Sequence, residues 1–543
     1  MKYQKVIKAN IVDIRNRKIY GAEIEVVGDR IKEIRKSSEQ FDTYVLPGFI
    51  DAHIHIESSM LVPSEFARLA VPHGTVATVS DPHEIANVLG IDGVKYMINN
   101  GKEVPFHFYF GASPCVPATP FETAGAELNV QDVEELLKMD EVKYLSEMMN
   151  WPGVLHQDQD VTAKIDLAKK YNKPVDGHAP GLKGEQAQKY IEAGISTDHE
   201  CFTEEEAIDK LKLGMKVQIR QGSAARNFEA LFGLIDKYYA SMMFCSDDKH
   251  PDDLQKGHIN ELVAESVRRG KDVFKVLQMA CINPVDHYKL EVGQLREGDL
   301  ADFIEVNNLE EFDVISVWVK GRKVAENGKS FIKSVPVETV NKFGISPIQL
   351  NDIELSSSTE KVNVIEVLDG ELVTNKITGN AVLKEGKLES NTDEDVLKMV
   401  VVNRYEQHKP AVAFIQNFGL KRGAIASSVA HDSHNIIAVG TSDDAIVRSI
   451  NLIIENKGGL SIVDGKVEKS LSLPVAGIMS DQSAETVAQE YHELSLMAKA
   501  LGSPLRAPYM SLSFMALLVI PSLKLSDKGL FDGDKFEFTD VIA

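Results

Sequence analysis

Between residues 48 and 246 the chain alternates eight short β-prone runs with helix-sized amphipathic segments, and this alternation restricts its fold more than any other feature. The runs fall at 48–55, 76–80, 106–111, 142–148, 174–178, 195–199, 216–219 and 241–246. Helical spacing of apolar residues marks 64–70, 163–171, 185–193, 204–213 and 228–239 between them. Strands that alternate with helices must pair in parallel, since each connection returns to the starting edge. Eight such units over about 200 residues predict a (β/α)8 barrel of TIM type, with an open doubly wound sheet as the competing arrangement.

The flanks read differently. From Lys5 to about Val45 short β segments are separated by polar turns, a small β module that ends at Leu46-Pro47-Gly48. After the eighth run, Ile259, Leu262, Val263 and Val267 recur at helical spacing, and a second helix from Asp272 is expected to stop at Asn283-Pro284. β texture then resumes at Val292, and these later strands complete the first module. With 543 residues, more than one core is required, because single cores stop growing at roughly 250–300 residues. The predicted division is a composite β-sandwich domain of 1–46 with 290–340, a barrel of 47–289, and a C-terminal α/β domain of 345–543.

A formal net charge of −22 disfavours phosphate backbones and anionic headgroups as partners, so neither nucleic acid nor a membrane surface is expected. A neutral small molecule is not repelled. The N-terminus shows no secretory signal pattern, and the apolar run at 510–523 is too short and too interrupted by Ser and Pro to span a bilayer, so it reads as a buried element. Cys115, Cys201, Cys245 and Cys281 form no C-x-x-C pair, which fits reduced thiols in a cytoplasmic protein.

Barrel enzymes build their sites at the C-terminal ends of strands. His53 and His55 end the first run, and period-two geometry turns both imidazoles to one side, where two nitrogens reach one metal. His178 ends the fifth run and His199 the sixth. Asp247 ends the eighth, where a carboxylate can touch a metal and shuttle a proton, with Asp248 as its competitor. The fourth run offers Lys143, a candidate carbamate, and Glu147, which lies nearer the strand end and is preferred as a bridge between two cations. Asp81, His83 and Glu84 follow the second run as a loop facing the cavity, able to bind a heterocycle or relay protons, with helix capping by Asp81 as the alternative. Asn87 rules out a metalloprotease His-Glu-x-x-His here, and the absence of Pro-Cys-x-x-Cys rules out the cytidine-type zinc deaminase fold. Near the C-terminus His431, Asp432 and His434 form a polar cluster that reads as a second metal site, a loop reaching the barrel mouth, or a locally bonded turn.

The run 47–55, the set His178, His199 and Asp247, and the closing Asn283-Pro284 and Gly293-Gln294-Leu295 to Asp302 resemble the amidohydrolase superfamily over about the first 330 residues. More narrowly, Ser58-Ser59-Met60, the stretch 81–90, Asp176-Gly177-His178-Ala179-Pro180 and the stretch 431–435 resemble bacterial adenine deaminases over nearly the whole chain. That resemblance implies hydrolysis of adenine to hypoxanthine and ammonia in purine salvage, by a homodimer holding two divalent cations, Mn²⁺ or Fe²⁺, with Zn²⁺ also compatible. It implies His53 and His55 on one cation with Asp247, His178 and His199 on the second, and Glu147 between them. Asp247, His83 and Glu84 are then the catalytic candidates, with Asp81, His83 and Glu84 at the substrate. Two rivals remain at this level: a cyclic-amide hydrolase of dihydropyrimidinase type using Lys143, and a non-catalytic scaffold.

Overall fold

The structure is a computed structural model that describes residues 4–543. Eight strands build the central body: β1 (Phe49–Ile54), β2 (Thr75–Ser80), β3 (His107–Ala112), β4 (Val142–Met148), β5 (Val175–Gly177), β6 (Thr197–Asp198), β7 (Lys216–Arg220) and β8 (Met242–Cys245). β1 to β5 pair in sequence order and in parallel, as do β6 to β8. A parallel bridge between Val175 and Ile195 joins the two runs, and another between Ile54 and Asp247 closes the ring. At that closure the Asp247 amide donates to the His53 carbonyl at 2.9 Å and the His55 amide to the Asp247 carbonyl at 3.3 Å. The sheet is therefore a barrel, and the open-sheet alternative falls.

Each strand is short because it is buried on both faces. β2, Thr-Val-Ala-Thr-Val-Ser, is buried at every position, the composition expected of a parallel strand under a helical layer. The covering helices carry their own start signals. Pro63 opens Pro63–Ala70, Asn129 and Asp132 form a reciprocal capping box on Val130–Lys138, and Thr203 caps Glu204–Lys212.

Two helices depart from the sequence expectation. The segment 228–239 is broken into Phe228–Leu231, a 3-10 turn Phe232–Leu234 and Ile235–Tyr238, with Gly233 at the break. The helix after Asp272 does not stop at Asn283-Pro284. It passes through a π turn, Gln278–Ile282, into Asn283–Tyr288 and ends at Lys289 in a left-handed conformation. Pro284 follows directly on the π turn, whose wider register accommodates a residue with no N–H to donate.

Residues 4–47 and 303–330 form one eight-stranded sheet, in which strand Tyr44–Pro47 lies between Gln4–Asp13 and Phe303–Val306. The C-terminal part is built on a second eight-stranded sheet whose centre is Leu397–Val402 beside Ile436–Gly440. Helix Asp443–Asn456 covers one face through Ile446, Ile450 and Ile453, while the other face joins the continuous apolar core of the barrel. Polar ties reinforce that junction: the Ser480 amide donates to the Met60 carbonyl at 2.8 Å, and the Ala484 amide to Glu65 at 2.9 Å. Among the described residues no helix is long and apolar enough to cross a membrane. The run at 510–523 packs inside, with Met510, Leu512, Phe514 and Met515 buried.

Candidate metal centre

The alternation of β1 carries His53 and His55 to the same side of the strand, and their Nε2 atoms lie 3.2 Å apart. Both face Asp247 Oδ1, His53 at 3.5 Å and His55 at 3.2 Å. Asp247 holds this position in a left-handed backbone conformation, φ 55°, that is costly for a residue with a side chain and typical of functional sites. Its second oxygen accepts from Arg220 Nη1 at 2.6 Å.

Glu147, near the end of β4, stands between two groups of imidazoles. Its Oε1 faces His55 at 3.6 Å and His83 at 3.3 Å, while Oε2 faces His178 Nδ1 at 3.0 Å, His199 Nε2 at 3.2 Å and, farther off, His53 Nε2 at 3.9 Å. A carboxylate lying among the imidazoles of both groups is placed where a bridging ligand would be. Lys143 takes no part: it lies at the start of β4 and lines a separate cavity with Asp140, Glu141 and Lys320, at the opposite end of the strand.

Neighbouring groups hold the donors in place. His55 Nδ1 lies 3.2 Å from the Asp81 carbonyl, which leaves Nε2 for the centre. Lys210, buried, donates to the Ala179 carbonyl at 2.7 Å and to Asp198 at 2.5 Å, and so fastens the loop after His178 to the strand before His199. Gly177 is required where β5 meets β6, since a Cβ there would lie 2.5 Å from the Thr197 carbonyl oxygen.

His83 and Glu84 occupy the first turn of helix His83–Leu89 rather than a loop. Asp81 precedes the N-cap, Pro82, and so does not cap the helix; one of its oxygens accepts the His83 amide at 3.1 Å and the other lies 3.2 Å from the His83 ring nitrogen. The C-terminal cluster arrives from across the chain: His431 Nδ1 is 2.5 Å from Glu84 Oε1, His434 contacts Glu84 Oε2, and Asp432 lies 3.6 Å from His83 Nε2. The loop thus reaches the barrel mouth. Asp248 faces the same pocket, but its Oδ1 accepts from Ser58 at 2.5 Å.

Glu200 and Arg220 were not singled out from the sequence. Glu200 Oε1 lies 3.7 Å from His178 Nδ1 and 3.5 Å from His199 Nε2, and Arg220 pairs with Glu200 as well as Asp247. Arg220 ends β7, and that placement was the signal available.

The electrostatics follow from crowding charges in a buried space. Burial opposes ionisation of Glu147, yet the His178 charge and hydrogen bonds from His178 and His199 hold it well below the usual carboxylate range. Burial likewise opposes charge on Asp247, and Arg220, His53 and His55 overcome it. His178, despite burial, is pushed up to about 9 by Glu200 and Glu147. Donor atoms of His53, His55 and Asp247 lie within 4.8 Å of one another, as do those of His53, Glu147 and His199. His53 Nδ1, His178 Nε2 and His199 Nδ1 have no hydrogen-bond partner among the described residues. Imidazoles and carboxylates converging without enough protons to satisfy each other fit divalent cations of the first transition row.

Residues 44–324 match the amidohydrolase family model, and residues 371–537 match the adenine deaminase C-terminal domain model. An adenine deaminase of Sulfurovum sp. (strain NBC37-1) is 56% identical over 98% of this chain and 99% of that relative. The chain belongs to the adenine deaminase family of amidohydrolases. Further members are adenine deaminases of Salinibacter ruber, 51% identical, and Methanosarcina mazei, 50% identical, each aligned over 98% of both chains. Both domain models contribute to the site, since Glu84 comes from the first and His431, Asp432 and His434 from the second. Membership implies divalent metal, and the converging donor set accommodates it.

Proposed function

We propose that this chain is an adenine deaminase that hydrolyses adenine to hypoxanthine and ammonia. One observation carries the reading: the likeness to adenine deaminases runs through barrel and C-terminal domain alike, and side chains from both line one pocket. The proposed ligand sets are His53, His55 and Asp247 for one cation and His178 and His199 for another, with Glu147 between them. Glu200 and His83 lie close enough to each set to adjust it. Mn²⁺ or Fe²⁺ suits this mixture of imidazole and carboxylate. Bound cations supply the Lewis acidity that brings the ionisation of water towards neutral pH.

The chain's own groups carry the remaining work. The purine lies in the pocket between the metal centre and the C-terminal domain, where Glu84, Asp248, His431 and Asp432 offer polar contacts and Leu372, Phe514 and Leu517 offer an apolar face. Asp247, kept ionised by Arg220, accepts the proton of the water that attacks C6 and delivers it towards the ring nitrogen or the departing amine. The C6–O bond forms and the C6–N bond breaks; of the two protons of the attacking water, one ends on the ring nitrogen of hypoxanthine and the other leaves with the amine as ammonia. Glu84, clamped by His431 and His434, orients the heterocycle. The working form is a homodimer of the cytoplasm, acting in purine salvage.

The test is release of ammonia from adenine, adenosine and cytosine, and ring opening of hydantoin to its N-carbamoyl amino acid, by enzyme supplied with Mn²⁺ or Fe²⁺. Adenine should be turned over at least about a hundredfold more efficiently than the others, a discrimination available to a site that hydrogen-bonds its substrate. Equal or greater turnover of hydantoin would instead favour a cyclic-amide hydrolase.

A further inference from the structure

Apart from Met149, the apolar wall of the pocket comes from the C-terminal domain, and one buried amine ties its parts together. Leu372 precedes strand Thr374–Asn380, whereas Phe514 opens the 3-10 turn Phe514–Ala516, so nothing in the local chain fixes one against the other. Lys524, on strand Leu523–Ser526, donates from Nζ to the Leu372 carbonyl at 2.6 Å and to the Phe514 carbonyl at 2.9 Å. Phe514 in turn packs its ring against His431, with centroids 5.3 Å apart.

Lys524 is fully buried, and no carboxylate lies within ion-pair distance among the described residues. Burial alone pushes its amine down to about 7. Placing an amine there is costly, and an apolar side chain of similar length would fill the volume without that cost. The free space beside the metal centre is about 30 Å³, room for a water or two and too little for a purine. Where the wall stands therefore bears directly on how a base is admitted.

We infer that Lys524 is a positioning residue for the substrate, joining Leu372 and Phe514 into one wall whose distance from the metal centre sets both the affinity for adenine and the discrimination against bulkier 6-aminopurines. The inference rests on the adenine reading above. Lys524 touches no reacting atom, so its removal acts on KM and leaves kcat nearly unchanged.

The experiment measures hypoxanthine formation from adenine and from N6-methyladenine by the metal-loaded full-length enzyme, its Lys524→Met and Lys524→Arg variants, Phe514→Ala, and the double variant. Lys524→Met should raise KM for adenine about tenfold with kcat within about threefold, and narrow the preference for adenine over N6-methyladenine by a similar factor. Lys524→Arg, which keeps donors, should recover part of the KM. The double variant should be no worse than Phe514→Ala, because both changes release the same wall. Wild-type KM and selectivity in Lys524→Met, or effects that multiply in the double variant, would overturn the inference, whatever happens to thermal stability. Should Lys524→Met not fold, Phe514→Ala and Leu372→Ala carry the test: unchanged KM and selectivity in both overturns it equally. Wild-type enzyme that makes no hypoxanthine sinks the functional reading instead, which keeps the two failures apart.

Discussion

In the proposed mechanism Asp247 does two things that pull against each other, facing the imidazoles of β1 and remaining a proton acceptor. Arg220 resolves the conflict by taking one oxygen, at 2.6 Å, and leaving the other towards His53 and His55. Replacing Asp247 with Asn keeps the shape but removes the base, so turnover of adenine should fall by about two to four orders of magnitude while far-ultraviolet circular dichroism stays the same. Activity within tenfold of wild type would exclude the assigned role. At Lys524 the consequence is one of stability. Its amine is pushed down to about 7 from the ordinary 10.5. Between those values the unfolded chain binds the proton more tightly than the native one, so this group makes stability rise with pH across that window. Thermal melts of wild type and Lys524→Met at pH 7 and pH 10 should show the wild type gaining on the variant as pH rises. A constant difference would contradict it.

At the scale of strands and helices, much was legible because period-two and helical patterns are local properties. β4 was bounded at 142–148 from its sequence, and the remaining barrel strands fall within about two residues of expectation. Placing His53, His55, His178, His199 and Asp247 at strand ends followed from that. The misread junctions have physical causes. Asn283-Pro284 looks like a stop, but a π turn immediately before it changes the register and accommodates the missing N–H, so the helix continues. Glu84 reads as a loop acid until the helix that begins one residue earlier is known. Glu200 and Arg220 escaped because a lone acid after a histidine and a lone arginine ending a strand carry no motif. The strand ends also make a prediction of their own. Gly177→Ala would press a methyl group against the Thr197 carbonyl and displace His178 beside it. Destabilisation of about 1–3 kcal/mol is expected, together with weaker retention of metal on dialysis; a variant with unchanged melting temperature and metal content would show that the contact is not tight.

Taken whole, the molecule assembles its site from positions that no local pattern connects. Glu84 and His431 are 347 residues apart and meet at 2.5 Å, at the face where the C-terminal sheet joins the barrel core. The cluster at 431–435 was legible as chemistry but not as a destination, since its partner is set by domain packing. The account depends most on Glu147, whose carboxylate lies among the imidazoles of both proposed sets. Anomalous diffraction at the manganese edge, from crystals of the Mn²⁺-loaded enzyme, tests it directly. Two peaks are predicted, one beside His53, His55 and Asp247 and the other beside His178 and His199, with the Glu147 carboxylate between them. A single peak, or peaks that leave Glu147 without a cation on either side, would contradict it.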